Sequence, residues 1–150
     1  MPITLDNFEQ TVEPKIVERG LDYFNDGYIS RLEKVGENEF SALVFGTEKY
    51  NVFVKLDGRT ITEYECDCPY DYGDTCKHAV AVFYKLRAND FTDSAEKLRE
   101  ILDNLHNDAL RRFVNNLLKK DRNFRTEFLR TFDEDFEEDE DDEFFDEDYY

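Results

Sequence analysis

Three cysteines and a histidine stand within thirteen residues of one another, as Cys66, Cys68, Cys76 and His78. The pattern is Cys-x-Cys, seven residues, then Cys-x-His, and it takes in every cysteine of the chain and one of its two histidines. Thiolates and imidazole are soft and borderline donors that suit Zn²⁺, and three sulfurs with one nitrogen complete a tetrahedral shell. One structural zinc ion is therefore the expected cofactor. Cysteine is also a good small core residue, but this stretch is rich in Asp, Gly and Pro, which is not core composition. A Cys–His nucleophile pair or an open zinc site is the catalytic alternative, a zinc or thiol enzyme. Four good ligands without a further acid in an obvious place favour a closed structural site, with no catalytic residue and no small-molecule substrate.

The spacing dictates how the backbone must deliver these groups. Two positions apart on a strand, side chains point the same way, so Cys66 and Cys68 can both reach one ion from an extended segment. Pro69 supports that conformation by disfavouring the helical region for Cys68. Two positions apart in a helix means about 200° of rotation. Cys76 is therefore expected at a helix entrance, outside regular helical geometry, with His78 in the first turn and Asp74 or Thr75 in the cap region. The positive end of a helix also favours thiolate. Gly73 is expected to give the loop positive-φ freedom. Lys77, between two ligands, either offsets the site's net charge or points to solvent, the second being preferred.

The flanking elements follow from periodicity. Leu5, Phe8 and Val12 have helical spacing, and Pro14 suits the first turn of a second helix whose buried face is Ile16, Val17, Leu21 and Phe24, with Gly27 as its stop. Four short strands are expected at residues 28–35, 39–45, 50–56 and 60–66, joined by Gly36-Glu37-Asn38, Gly46-Thr47-Glu48 and the hairpin signal Asp57-Gly58. Short connections make them an antiparallel meander. In Phe40–Phe45 the alternation is weak, which suggests cover on both faces. Residues 76–88 read as a helix. Residues 94–132 read as two or three more, with stripes Leu98/Ile101/Leu102/Leu105, Leu110/Phe113/Val114/Leu117/Leu118 and Phe124/Phe128/Leu129/Phe132. Asn107 or Asp108 and Asp121 are candidate N-caps. His106, near a helix end, reads as a surface or capping residue.

The Cys-x-Cys and Cys-x-His pairs, one following a sheet and the other opening a helix, resemble the SWIM zinc finger. Upstream, Arg19-Gly20-Leu21-Asp22-Tyr23-Phe24 with Gly27 and a following strand pair is similar to what precedes that finger in bacterial members. The Leu-rich residues 94–132 look like the helical segment that often follows it. The resemblance covers about residues 15–88 and no ligand position departs from it. It implies one zinc ion and a role in binding DNA or protein, in a family found beside helicase-like ATPases and in some transposases. The chain has no phosphate-binding Gly-Lys-Thr/Ser loop, so ATPase activity would belong to a partner.

Charge narrows the partner. The net charge is -18, yet residues 133–150 hold 13 of the 37 acids and no Lys or Arg, leaving 24 acids against 19 bases elsewhere. That tail, with five aromatics among its acids, is expected to be disordered. A slightly acidic body favours a protein partner. The exception is residues 109–132, where Arg111, Arg112, Lys119, Lys120, Arg122, Arg125 and Arg130 face Asp121 and Glu127. Direct DNA binding through these helices, regulated by the acidic tail, is the second reading, with the first six as candidate contacts. No run of ~20 apolar residues suggests a membrane span. No basic start with a hydrophobic stretch suggests a signal peptide, so the expected location is the cytoplasm, where clustered thiols more often mean metal than disulfide.

The expected fold is α+β: N-terminal helices, a small meander, a zinc-pinned helix, a helical segment and the acidic tail. The expected domains are residues 1–90, 91–132 and 133–150.

Overall fold

The computed structural model describes residues 2–69 and 75–137. The chain divides into two compact units, Met1–Leu102 and Asp103–Tyr150. In the first, α1 (Phe8–Thr11) and α2 (Pro14–Asn25) precede strands β1 (Ile29–Gly36), β2 (Glu39–Phe45), β3 (Lys49–Asp57) and β4 (Thr60–Cys66). Helix α3 (Lys77–Arg87), the two-residue strand β5 (Thr92–Asp93) and helix α4 (Ala95–Asn104) follow, the unit boundary falling inside α4. The second unit holds α5 (Asn107–Lys120) and α6 (Arg122–Phe132). The α+β class expected from the sequence is the class observed.

The sheet order is β4-β3-β2-β1-β5. β1 to β4 form the expected antiparallel meander. β5 adds a parallel pairing, Glu33 with Thr92 and Lys34 with Asp93, that two polar residues could not announce in sequence. Register puts Phe40, Ala42 and Val44 opposite Val54, Val52 and Tyr50, and all six are buried. One face of the sheet is thus apolar. On the other face of β2, Ser41 and Leu43 are partly buried and Phe45 is exposed, so the expected cover on both faces is not found. The hairpin loop is Gly58-Arg59, one residue beyond the Asp57-Gly58 signal, with Gly58 at φ +63° and Asp57 paired to Thr60.

Helix α3 is buried on nearly every side, from His78 to Tyr84 and at Leu86, which marks it as the central element rather than a surface helix. α2 crosses it, and Gly20 makes that approach: a Cβ there would lie 2.4 Å from Val80 Cγ1. α2 begins with Pro14 and ends in a left-handed Gly27 (φ +76°), where Gly27 N–H donates to Phe24 O and Tyr28 N–H to Tyr23 O. These paired bonds satisfy the last carbonyls of the helix. Glu9 ties α1 to α3, accepting from Tyr84 Oη at 2.8 Å and Arg87 Nη1 at 2.7 Å.

In the second unit, Leu110, Val114, Leu117 and Leu118 of α5 and Phe124, Phe128 and Leu129 of α6 are half-buried, while Phe113 and Phe132 are exposed. Asp121 caps α6 as expected, accepting from Phe124 N–H at 3.0 Å. The cap of α5 is His106 rather than Asn107 or Asp108: its Nδ1 accepts from Asp108 N–H at 3.2 Å. Imidazole can serve there because a neutral ring nitrogen is an acceptor like a carboxylate oxygen. Most of the acidic tail, residues 138–150, and the expected roles of Gly73 and Asp74 lie outside the described residues.

Candidate metal centre

The last pair of the β3–β4 ladder is Val52 with Cys66. Beyond it the backbone bends at Cys68, and Asp67 ties it to β3: its carboxylate accepts from Asn51 N–H (2.9 Å) and Asn51 Nδ2 (3.2 Å), while Asp67 N–H donates to Asn51 O. This clamp carries the strand one step past its ladder and presents Cys66 and Cys68 together. Its signal in the sequence is slight: an Asp between two cysteines reads equally well as loop composition. Across the gap, Tyr64 Oη and Thr75 Oγ1 meet at 2.6 Å and close the base of the loop. Thr75 is therefore spent on β4 and does not cap α3.

Cys76 is itself the N-cap of α3, with extended backbone (φ -94°, ψ 167°). Its sulfur accepts from Ala79 N–H at 3.4 Å, one of the helix's orphan donors. His78 follows in the first turn. The non-helical Cys76 resolves the rotation problem posed by Cys-x-His, as the spacing predicted. Lys77 is not simply solvated: its Nζ lies 5.3 Å from the Tyr23 ring centroid.

The four donor atoms of Cys66, Cys68, Cys76 and His78 lie within 4.8 Å of one another. A tetrahedron with Zn–S near 2.3 Å has edges of about 3.8 Å, and Cys66 Sγ stands 3.8 Å from His78 Nδ1. Cys76 and His78 are buried, Cys66 and Cys68 partly so. Cys76 is lowered to about 4, first by its hydrogen bond with Cys66, with His78 and the Ala79 N–H adding and burial opposing. Cys66 is pushed well above the usual thiol range by the same bond, in which it keeps the proton, and by burial. Bonds from the neighbouring thiols and the Ala79 N–H favour the thiolate at Cys76, and a divalent cation would displace the protons of the other two thiols. The donors fit zinc in number, chemistry and spacing.

The six basic candidates lie on α5 and α6 and do not form one free set. At about 100° per residue, Arg111, Arg112 and Lys119 share an arc of about 100° along α5, and Lys120 falls about 80° beyond Arg112. All four are exposed, as is Arg122. Arg125 is turned inward, donating from Nη1 to Leu118 O at 2.8 Å, so it closes the C-terminus of α5.

Groups that the spacing did not single out surround His78. The Tyr50 ring lies tilted at 4.5 Å, the Tyr23 ring edge-on at 5.4 Å, and Gly46 sits against Nε2. A cavity of about 280 Å³ opens beside them, lined in part by Arg19, Tyr23, Thr47, Tyr50 and Lys77.

No helix among the described residues is long and apolar enough to cross a membrane. No curated protein and no solved structure matches the chain. The family described as SWIM zinc finger matches residues 50–87. That segment runs from β3 through both ligand pairs to the end of α3, so the chain carries a SWIM zinc finger with one structural zinc ion.

Proposed function

We propose that this chain is a non-enzymatic interaction module that binds a protein partner in a nucleic-acid-related complex of the cytoplasm. Cys66, Cys68, Cys76 and His78 hold the ion and so fix the junction between β4 and α3. The observation that carries this reading is the donor set: four protein ligands within 4.8 Å fill a tetrahedral shell and leave no position for substrate. The acidic body supports protein over nucleic acid. A helicase-like ATPase is the partner class that the family resemblance suggests.

The test is affinity capture from the native source with the wild-type chain and with Cys76→Ser, each with and without nuclease. A protein retained after nuclease treatment by the wild type and lost by the variant supports the module. Equal capture by both refutes a zinc-dependent contact.

The exposed arc Arg111, Arg112 and Lys119 favours the second reading, direct DNA binding by α5 with the acidic tail competing for the same cations. Deleting residues 133–150 should then raise DNA affinity at low salt, with a steep loss as salt increases. An affinity unchanged by the deletion at every salt concentration rejects it.

A further inference from the structure

His78 is the one polar or charged residue buried below a tenth of its surface among the described residues, at 5% exposure. Its Nδ1 faces Cys66, and its Nε2 is buried without a hydrogen-bond partner. A buried donor left unpaired costs about 1–3 kcal/mol. Once Nδ1 binds a metal, Nε2 must carry the ring proton, and metal-bound imidazoles nearly always donate that proton to an acceptor.

The acceptor can be sought among the hydroxyls nearby. Tyr50 Oη is already engaged with Thr47 Oγ1 at 3.2 Å. Among the described residues Tyr23 Oη makes no hydrogen bond; its ring contacts there are with Tyr28, His78 and Lys77. The place where a Cβ on Gly46 would stand is 3.1 Å from His78 Nε2, 3.3 Å from Tyr23 Oη and 3.0 Å from Tyr50 Cε2. Phenol oxygen and imidazole nitrogen thus border one small volume, which is open because residue 46 has no side chain. Gly46 is not in a left-handed conformation, so its lack of a Cβ serves space and not backbone freedom.

We propose that Tyr23 is the positioning residue of the zinc centre. On metal binding its hydroxyl would close on His78, accept the Nε2 proton that has no partner here and hold the ring with Nδ1 on the ion, and Gly46 leaves the room for that approach. The inference rests on the ligand assignment made above. It extends the metal centre into α2, outside the segment 50–87 that matches the finger family, so the packing of α2 and metal affinity become linked.

The test uses the full chain labelled with ¹⁵N-histidine and titrated with Zn²⁺. Long-range ¹⁵N–¹H correlation should show Nδ1 of His78 metal-bound and Nε2 protonated, with slow exchange of that proton with water. Tyr23→Phe keeps the ring and its packing and removes the oxygen. It should weaken zinc about 10-fold or more in competition with a chromophoric chelator and speed exchange of the Nε2 proton. Tyr50→Phe should leave both unchanged, and Gly46→Ala should weaken zinc. Metal bound through Nε2, or a Tyr23→Phe variant with wild-type affinity and exchange, overturns the proposal while leaving the ligand assignment intact. Undiminished 1:1 binding by both Cys76→Ser and His78→Ala would overturn the assignment itself and this inference with it.

Discussion

The contact of α2 with α3 turns on a single missing methyl. An alanine at position 20 would place its Cβ 2.4 Å from Val80 Cγ1, 2.6 Å from Val80 Cβ and 3.1 Å from Lys77 O. Carbon atoms pack at about 3.5–4.0 Å, so the helices must separate by roughly 1 Å. Val80 is fully buried, and its Cβ is fixed to the backbone and cannot swing aside. Overpacking of this kind costs about 1–3 kcal/mol, and the upper end applies. Alanine returns about 1 kcal/mol over glycine within a helix. Gly20→Ala should therefore lose about 2 kcal/mol net. That corresponds to roughly 1 M in the urea midpoint, or about 8–16 °C in melting temperature for a unit of this size. The assay is urea unfolding in saturating zinc of Gly20→Ala, Val80→Ala and the double variant. Val80→Ala alone should cost about 2 kcal/mol through its cavity. In that background Cγ1 is gone but the Cβ of residue 80 still stands 2.6 Å from the new Cβ at 20, so the penalty at 20 should shrink without vanishing, a coupling of about 1 kcal/mol. A Gly20→Ala protein as stable as the wild type, or penalties that simply add, would refute the close-packing account.

Further outcomes are expected. Chelation should lower the melting temperature of the wild type by more than 10 °C, since binding energy at a structural zinc site is folding energy. Cys76→Ser should melt near the chelated wild type and be indifferent to chelator; an equal response from both would reject the site. Glu9 is held below the usual carboxylate range, first by its hydrogen bond from Arg87 and then by that from Tyr84. Its contribution is therefore present above the unfolded value and lost as pH falls through the folded one, and Glu9→Gln should flatten the stability profile below about pH 5. Tyr84 is pushed up to about 12 by burial and then by Glu9. Its contribution should be intact below about pH 10 and vanish as pH rises through 12, a loss that Tyr84→Phe should abolish in alkaline melts. Gly27→Ala meets nothing within 4 Å, so its cost should be that of φ +76° alone, about 1–2 kcal/mol. Gly27→Asn should recover part of it, and an unstrained alanine would show that the left-handed cap is not required.

The four candidate zinc donors and the α+β order were legible in the sequence because both depend on local rules. Cys-x-Cys fits an extended chain, Cys-x-His does not fit a regular helix, and the structure answers with Cys76 as a non-helical cap and His78 one step inside. Proline at the start of α2, glycine at its end and the meander's turn residues encode the flanking elements in the same way. What stayed hidden depends on groups distant in the chain. The two-residue β5 has no periodicity, and its pairing to β1 exists through tertiary placement. Asp67 and Thr75 carry no metal-ligand signal, and their bonds to Asn51 and Tyr64 become visible once β3, β4 and the loop are assembled. Arg125 counts as a free cation in a charge tally, but in the hairpin it closes the end of α5. The glycines divide along the same line. Gly27 and Gly58 answer to local φ, whereas Gly20 and Gly46 answer to a neighbour's side chain. Residue type and spacing determined that a metal would bind between a strand and a helix. The fold decided what surrounds the imidazole, because a buried nitrogen's second partner is chosen by packing across elements and not by position along the chain.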